Sequence, residues 1–311
     1  MKSVTKVFWY SLAVCTAVVI WGAISPGALE SITNTITTFI SVNFGWYYLL
    51  IVMLMLIFSV YLIFSKYGKI KLGKEHDKPE FSLPSWFAML FSAGMGMGLV
   101  FWTTAEPVSH AFLTTPGAET GSEQAIKDGL KFSFFHWGVH AWAVYGIVAL
   151  VLAYFKFYRD TPGLISATLV PLFGKDAMEG IAGKLIDVLA VVATIFGVAA
   201  TLGFGSGQIT GGLSFLFGTP DSFSVQIIVL VVATLLFIVS AWSGIGRGIK
   251  YLSNINMGLA FVLLLLLFIV GPTLYILNMF TNTLGNYISD FFDMSLRLAP
   301  LDNDNRGWIN S

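Results

Sequence analysis

Seven stretches of mostly apolar residues recur along the chain, at about 7–25, 45–65, 85–104, 133–155, 186–216, 225–244 and 257–279. Each is about as long as a helix must be, roughly 20 residues, to cross ~30 Å of hydrocarbon. Lipid offers the backbone no hydrogen-bonding partner, so runs of this kind are confined to helices. The expected fold class is therefore an all-α multi-pass membrane protein with about seven transmembrane helices. Composition agrees: 11% of the 311 residues are charged, against about 25% in soluble domains. Net charge is zero and no basic stripe stands out, which excludes nucleic acid as a partner and argues against disorder. The one cysteine, Cys15, lies inside an apolar run and offers neither a disulfide nor a thiolate metal site. The first run meets Trp21-Gly22 and Pro26 instead of a small-residue cleavage site, so it reads as a span and not as a removed signal.

Lys and Arg set the expected orientation. The tail and the even-numbered connections hold thirteen basic residues, including Lys66, Lys69, Lys71, Lys74 and Lys78 between the second and third spans. The opposite side holds four: Lys127, Lys131, Arg297 and Arg306. The N-terminus is thus expected in the cytoplasm, residues 280–311 outside, and the cell membrane as the location. Seven-helix receptors place the N-terminus outside, and the last run has no lysine for a retinal Schiff base. A receptor is the least favoured reading. Enzyme chemistry is also missing, with no His-Glu-x-x-His, no Gly-x-Ser-x-Gly and no paired intramembrane carboxylates, so the chain is not expected to be an enzyme.

Ionisable groups inside a membrane are costly and mark function. Here they are few: Glu106 ends the third span, Asp187 begins the fifth, and His136 and His140 occupy the fourth. A solute should therefore be neutral, zwitterionic or cationic. The third span reads Phe91-Ser-Ala-Gly-Met-Gly-Met-Gly-Leu-Val-Phe-Trp102, with glycine at 94, 96 and 98. Each glycine costs a helix about 1 kcal/mol relative to Ala. Two readings compete: Gly94 and Gly98 as a small-xxx-small packing pair, or an unwound stretch whose bare backbone meets a solute and whose carbonyls ligate a cation.

The fourth span carries Trp137, Trp142 and Tyr145. At roughly 100° per residue they share one side of the helix and extend into the span. Aromatic faces attract quaternary ammonium groups by ~2 kcal/mol or more when desolvated, so this wall suits a trimethylammonium headgroup. His136 and His140 are spaced like a metal pair but lack a third ligand, and hydrogen bonding between helices is the expectation. The fifth run is about 46 Å long as a straight helix, and its glycines lead us to expect a break or bend after Gly203. Thr194 and Thr201 either back-bond to the helix or ligate sodium. Residues 243–256 are expected as a short connector, and 284–299 as an amphipathic helix along the outer interface.

Several motifs together resemble the betaine/carnitine/choline transporter family. They are Gly94-Met-Gly-Met-Gly-Leu-Val-Phe-Trp102 with Ala105-Glu-Pro-Val-Ser-His110, the aromatic set Trp137, Trp142 and Tyr145, and Asp160-Thr-Pro-Gly-Leu-Ile-Ser166. Ile186-Asp-Val-Leu-Ala-Val-Val-Ala-Thr-Ile-Phe-Gly197 and Gly248-Ile-Lys-Tyr-Leu-Ser-Asn-Ile-Asn-Met257 complete them. The resemblance implies a LeuT-like transporter fold with two peripheral helices followed by the first five-helix inverted repeat. The parts would be residues 1–84 (tail, peripheral helices and cytoplasmic loop), 85–279 (the repeat) and 280–311 (the outer helix and the end of the chain).

The resemblance further implies a secondary transporter for a trimethylammonium solute, glycine betaine first, with choline or carnitine as alternatives and no cofactor beyond a coupling sodium ion. The substrate set would be Trp137, Trp142, Tyr145, Gly94, Gly96, Gly98 and Met95. The carbonyls of Ser92 and Met95 would hold sodium, with Thr201 a minor ligand. Gly98 stands where proton-linked choline members tend to carry Asp, which favours a zwitterion and sodium, whereas Val198 stands where a hydroxyl is expected. Family members are often homotrimers. The family's tryptophan-rich eighth span would begin just beyond Ser311, so the chain reads as the N-terminal part of a longer transporter, with a non-transporting truncated protein as the other possibility.

Overall fold

The computed structural model describes residues 5–94 and 97–298, and every regular element among them is helical. In chain order these are α1 (Lys6–Ile24), α2 (Pro26–Phe64), a 3-10 turn (Lys66–Lys69), α3 (Leu83–Gly94), α4 (Met97–Phe112), α5 (Glu123–His136) and α6 (Val139–Ala153). A π turn (Tyr154–Tyr158) follows, then α7 (Ile165–Phe173), α8 (Lys175–Glu179), α9 (Ile181–Phe217) and α10 (Phe223–Ser243). A second π turn (Ile245–Ile249), α11 (Lys250–Val270), α12 (Thr273–Ser289) and α13 (Phe291–Leu296) complete the order. Six helical stretches among the described residues are long and apolar enough to cross a membrane: α1, α2, Glu123–Tyr158, α9, α10 and α11. The expected third span, 85–104, is covered by α3 and α4, and residues 95 and 96 between them lie outside the described residues.

Two compact units partition the chain. One comprises Met1–Asp77, Phe135–Phe196 and Asp290–Ser311, the other Lys78–Phe134 and Gly197–Ser289. In the first, α2 packs on α6, and α1 and α13 pack on α2. In the second, α3 packs along α11. That contact is polar at three points. Ser92 Oγ donates to the Ser253 carbonyl at 3.3 Å and accepts from Asn256 Nδ2 at 3.3 Å, while Asn254 Nδ2 donates to Ser85 Oγ at 3.2 Å.

Several expected boundaries differ. α2 begins at Pro26, not near 45. Its N-terminal half is rich in hydroxyls, and two of them return to their own helix: Thr33 donates to the Leu29 carbonyl and Thr35 to that of Ser31, both at 2.8 Å. The break expected after Gly203 is absent, since α9 runs from Ile181 through Phe217. Glycine weakens a helix, but lipid would leave the freed carbonyls without partners, and the second penalty is the larger.

The expected connector 243–256 is helical from Lys250 onward. Gly244 ends α10 with φ +85, and the π turn leads directly into α11. Gly248 is required there, because a Cβ would lie 2.6 Å from the Ser240 carbonyl oxygen. The expected helix over 284–299 is divided among the described residues. α12 already begins at Thr273 after Pro272, and a new N-cap at Asp290 starts α13. The expected seventh run, 257–279, is likewise divided between α11 and α12 at Gly271-Pro272, where proline supplies no N–H to continue the ladder.

Candidate functional site

The aromatic residues belong to the first unit. The chain leaves helix at Trp137-Gly138, between α5 and α6, with Gly138 as the N-cap of α6 in extended geometry. The interruption frees the Trp137 carbonyl, and Trp142 Nε1–H donates to it at 3.0 Å. Trp142 in turn meets Tyr145 edge to face, with ring centroids 5.8 Å apart and planes at 83°. The three predicted wall residues are thus tied in sequence, Trp137 to Trp142 through a hydrogen bond and Trp142 to Tyr145 through their rings. Trp137 and Trp142 are half-buried, whereas Tyr145 is exposed. Trp142 also lines a cavity against α2, which neither Trp137 nor Tyr145 lines.

One turn away, His140 is buried. Its ring stacks on Phe291 at 4.9 Å and lies 4.7 Å from Phe135. Ser295 Oγ donates to the Phe291 carbonyl at 2.5 Å, so it accepts the Nε2–H of His140 at 2.8 Å. For His140 this is the interhelical hydrogen bond that was expected, and it seats α13 beside the start of α6.

The glycine segment belongs to the second unit. Gly94 closes α3 and Gly98 lies in the first turn of α4. Met95 and Gly96 lie outside the described residues. Ser92, the other expected sodium ligand, is placed in the last turns of α3 with its side chain bonded to α11. Thr201 and Thr194 both back-bond, donating to the carbonyls of Gly197 at 2.9 Å and Ala190 at 2.8 Å. Glu106, in α4 with Pro107, is buried and lies 3.8 Å from His110 Nε2 one turn on.

Two of the sequence motifs have partners that their own residues do not announce. Asp187 receives two hydrogen bonds from Ser166, joining stretch 160–166 to stretch 186–197. Ser253, Asn254 and Asn256 of stretch 248–257 meet Ser85 and Ser92 of α3. Polar residues at helical spacing inside an apolar run were the available signal.

Known proteins match the chain along its whole length. The family model described as betaine/carnitine/choline family transporter covers residues 6–311. The glycine betaine transporter OpuD of Bacillus subtilis is 54% identical over 311 residues, all of this chain and 60% of that protein. An ectoine/hydroxyectoine transporter of Virgibacillus pantothenticus is 44% identical over 304 residues, 97% of this chain and 60% of that protein. The osmo-dependent choline transporter BetT2 of Acinetobacter baylyi is 38% identical over 278 residues, 89% of this chain and 40% of that protein. The chain therefore spans about 60% of the length of the first two of these relatives.

Proposed function

We propose that this chain, which belongs to the betaine/carnitine/choline family of transporters, serves the uptake of a trimethylammonium solute, glycine betaine first, across the cell membrane. The N-terminus and the lysine-rich segment after α2 face the cytoplasm in this reading, as the distribution of basic residues favours. The quaternary amine lies against Trp142, flanked by Tyr145 and Trp137; Gly94, Met95, Gly96 and Gly98 remain the substrate contacts that the family resemblance implies. Sodium is the coupling ion, held by the carbonyls of Ser92 and Met95. Thr201 keeps its oxygen lone pairs for a cation and is the minor ligand.

The carrying observation is the fixed pair of rings: Trp142 is hydrogen-bonded to the Trp137 carbonyl at 3.0 Å and stands edge to face with Tyr145. Choline and carnitine carry the same headgroup, so this wall alone does not separate them from betaine. Gly98 in place of Asp is the feature that favours a zwitterion.

Competition uptake tests the reading. Glycine betaine should compete for its own radiolabelled uptake. Its carbon isostere 3,3-dimethylbutanoate, equal in shape but without the cation, should not. In Trp142→Ala the betaine affinity should fall by roughly tenfold or more, the scale of a desolvated cation–π contact. Equal competition by the isostere, or an unchanged affinity in Trp142→Ala, sinks the assignment.

A further inference from the structure

The interruption between α5 and α6 is loosely held by its own backbone. The Gly138 N–H reaches back to the Phe135 carbonyl at 3.4 Å, and the Trp142 N–H reaches the Gly138 carbonyl at 3.5 Å. Both lie beyond the range of about 2.7–3.2 Å in which such bonds are strong. Gly138 has no side chain to narrow the angle further. Side chains must therefore decide how the first turn of α6 meets the last turn of α5.

His140 bridges the same interruption from the other side. Residues 140 and 142 are separated by about 160° around a helix, so the imidazole and the indole leave α6 on opposite faces. The imidazole lies 4.7 Å from the ring of Phe135, in the last turn of α5. It also stacks on Phe291 of α13 at 4.9 Å, with the planes 29° apart. Phe135 precedes the interruption and His140 follows it, so their contact resists any change in the angle between the two helices.

The residue type is informative. His140 is buried, and among the described residues its Nδ1 has no hydrogen-bond partner. That is a cost which a phenyl ring in the same sandwich would not carry. What the imidazole adds is the Nε2–H to Ser295 Oγ at 2.8 Å, which fixes the rotation of the ring as well as its place. The acceptor is itself anchored, because Met294 and Ser295 are buried and α13 packs on α2. With six residues α13 is too short to persist alone, so these contacts set its position.

We propose that His140 is a positioning residue for Trp142. Clamped between Phe135 and α13, it holds the first turn of α6 where the Trp142 Nε1–H meets the Trp137 carbonyl at 3.0 Å. One link is ring to ring and the other is indole to carbonyl. Together they fix an angle that two long backbone bonds leave open. The imidazole does not touch the solute. Its effect on uptake rests on the betaine reading, whereas its effect on the indole does not.

Ultraviolet resonance Raman spectra of the purified chain test the effect on the indole, since the indole N–H band reports whether that group is hydrogen-bonded. The Trp142 contribution is the difference from the matching Trp142→Phe protein. His140→Ala should move the band toward the unbonded position. Ser295→Ala, which leaves α6 unaltered, should move it the same way by less, and it decides the matter alone if His140→Ala does not fold. His140→Gln, whose amide can donate to Ser295, should restore part of the shift. A band that stays in place in the folded variants overturns the proposal.

Betaine uptake supplies the second readout. In His140→Phe the KM should rise by roughly two- to tenfold, the scale of immobilising one side chain, with the maximal rate nearly unchanged. A lower maximal rate at unchanged KM, with the band unmoved, is the result of lost folded protein and overturns the positioning role. A moved band with unchanged KM upholds the clamp on Trp142 and sinks the betaine reading instead, so the two fail separately.

Discussion

The carboxylate of Asp187 accepts both hydrogen bonds that Ser166 can donate, from its backbone N–H at 3.0 Å and from its hydroxyl at 2.7 Å. Both residues are buried. Ser166 is the second residue of α7, so the carboxylate stands where a helix start lacks internal acceptors and where its dipole favours negative charge. Leu164, at the N-cap, has no side chain that could do the same. The cap of α7 is therefore supplied from α9.

Removing that carboxylate should be among the most damaging single changes in the first unit. Asp187→Ala leaves two buried donors without an acceptor and should cost about 2 to 3 kcal/mol, read as a lower midpoint in thermal unfolding in detergent. Ser166→Ala loses one bond and leaves the carboxylate with the other, so it should cost about half as much. If the two variants unfold together with the parent, the pair is not a cap.

The indole N–H and the indole face of Trp142 should be separable. Trp142→Phe keeps an aromatic face but loses the bond to the Trp137 carbonyl, so betaine affinity should drop less than in Trp142→Ala. A Phe variant as weak as the Ala variant would mean that the hydrogen bond, not the face, matters.

The seat of α13 should depend on one imidazole. His140→Phe retains stacking on Phe291 but cannot donate to Ser295 Oγ. Amide exchange across Phe291–Leu296 should then quicken by roughly tenfold, the equivalent of one net hydrogen bond. Ser295→Ala should give the same pattern, and the double variant should add little, since the two remove one interaction.

Ser92 offers a test of the proposed cation site. Sodium would use its backbone carbonyl, whereas its hydroxyl engages Ser253 and Asn256 on α11. Ser92→Ala should lower thermal stability by about 1 kcal/mol while leaving the sodium concentration for half-maximal uptake unchanged. A shifted sodium requirement would assign the hydroxyl, not the carbonyl, to the ion. Ser92→Ala and Asn256→Ala should be less than additive.

The apolar runs made most spans legible, because a bilayer permits one solution to a twenty-residue hydrophobic stretch. What eluded the sequence was what polar residues do inside such runs. The hydroxyls of Thr33 and Thr35 lower the local hydropathy, yet both return to carbonyls one turn back, so α2 extends to Pro26. The glycines of α9 looked like breaks, and lipid gives an unwound backbone nothing to bond.

The glycines point to interruptions after Gly203 and around Gly96. In the aromatic span the interruption falls at Trp137-Gly138, where a lone glycine gave little warning. The pairing of Trp142 with Tyr145 follows from helical spacing, since both lie in α6, whereas Trp137 precedes that helix. The indole-to-carbonyl bond is not legible in the same way, because it depends on a carbonyl that leaves the helix ladder only where the helix stops.

That small stop between α5 and α6 has a thermodynamic consequence. An indole free to swing must surrender rotamer freedom when a guest arrives, and the cost of immobilising such a side chain is about 0.5–1.5 kcal/mol. Here the chain's own backbone has already halted the swing before any solute is present. The ring is preorganised, and whatever settles against it meets a surface whose orientation was decided during folding.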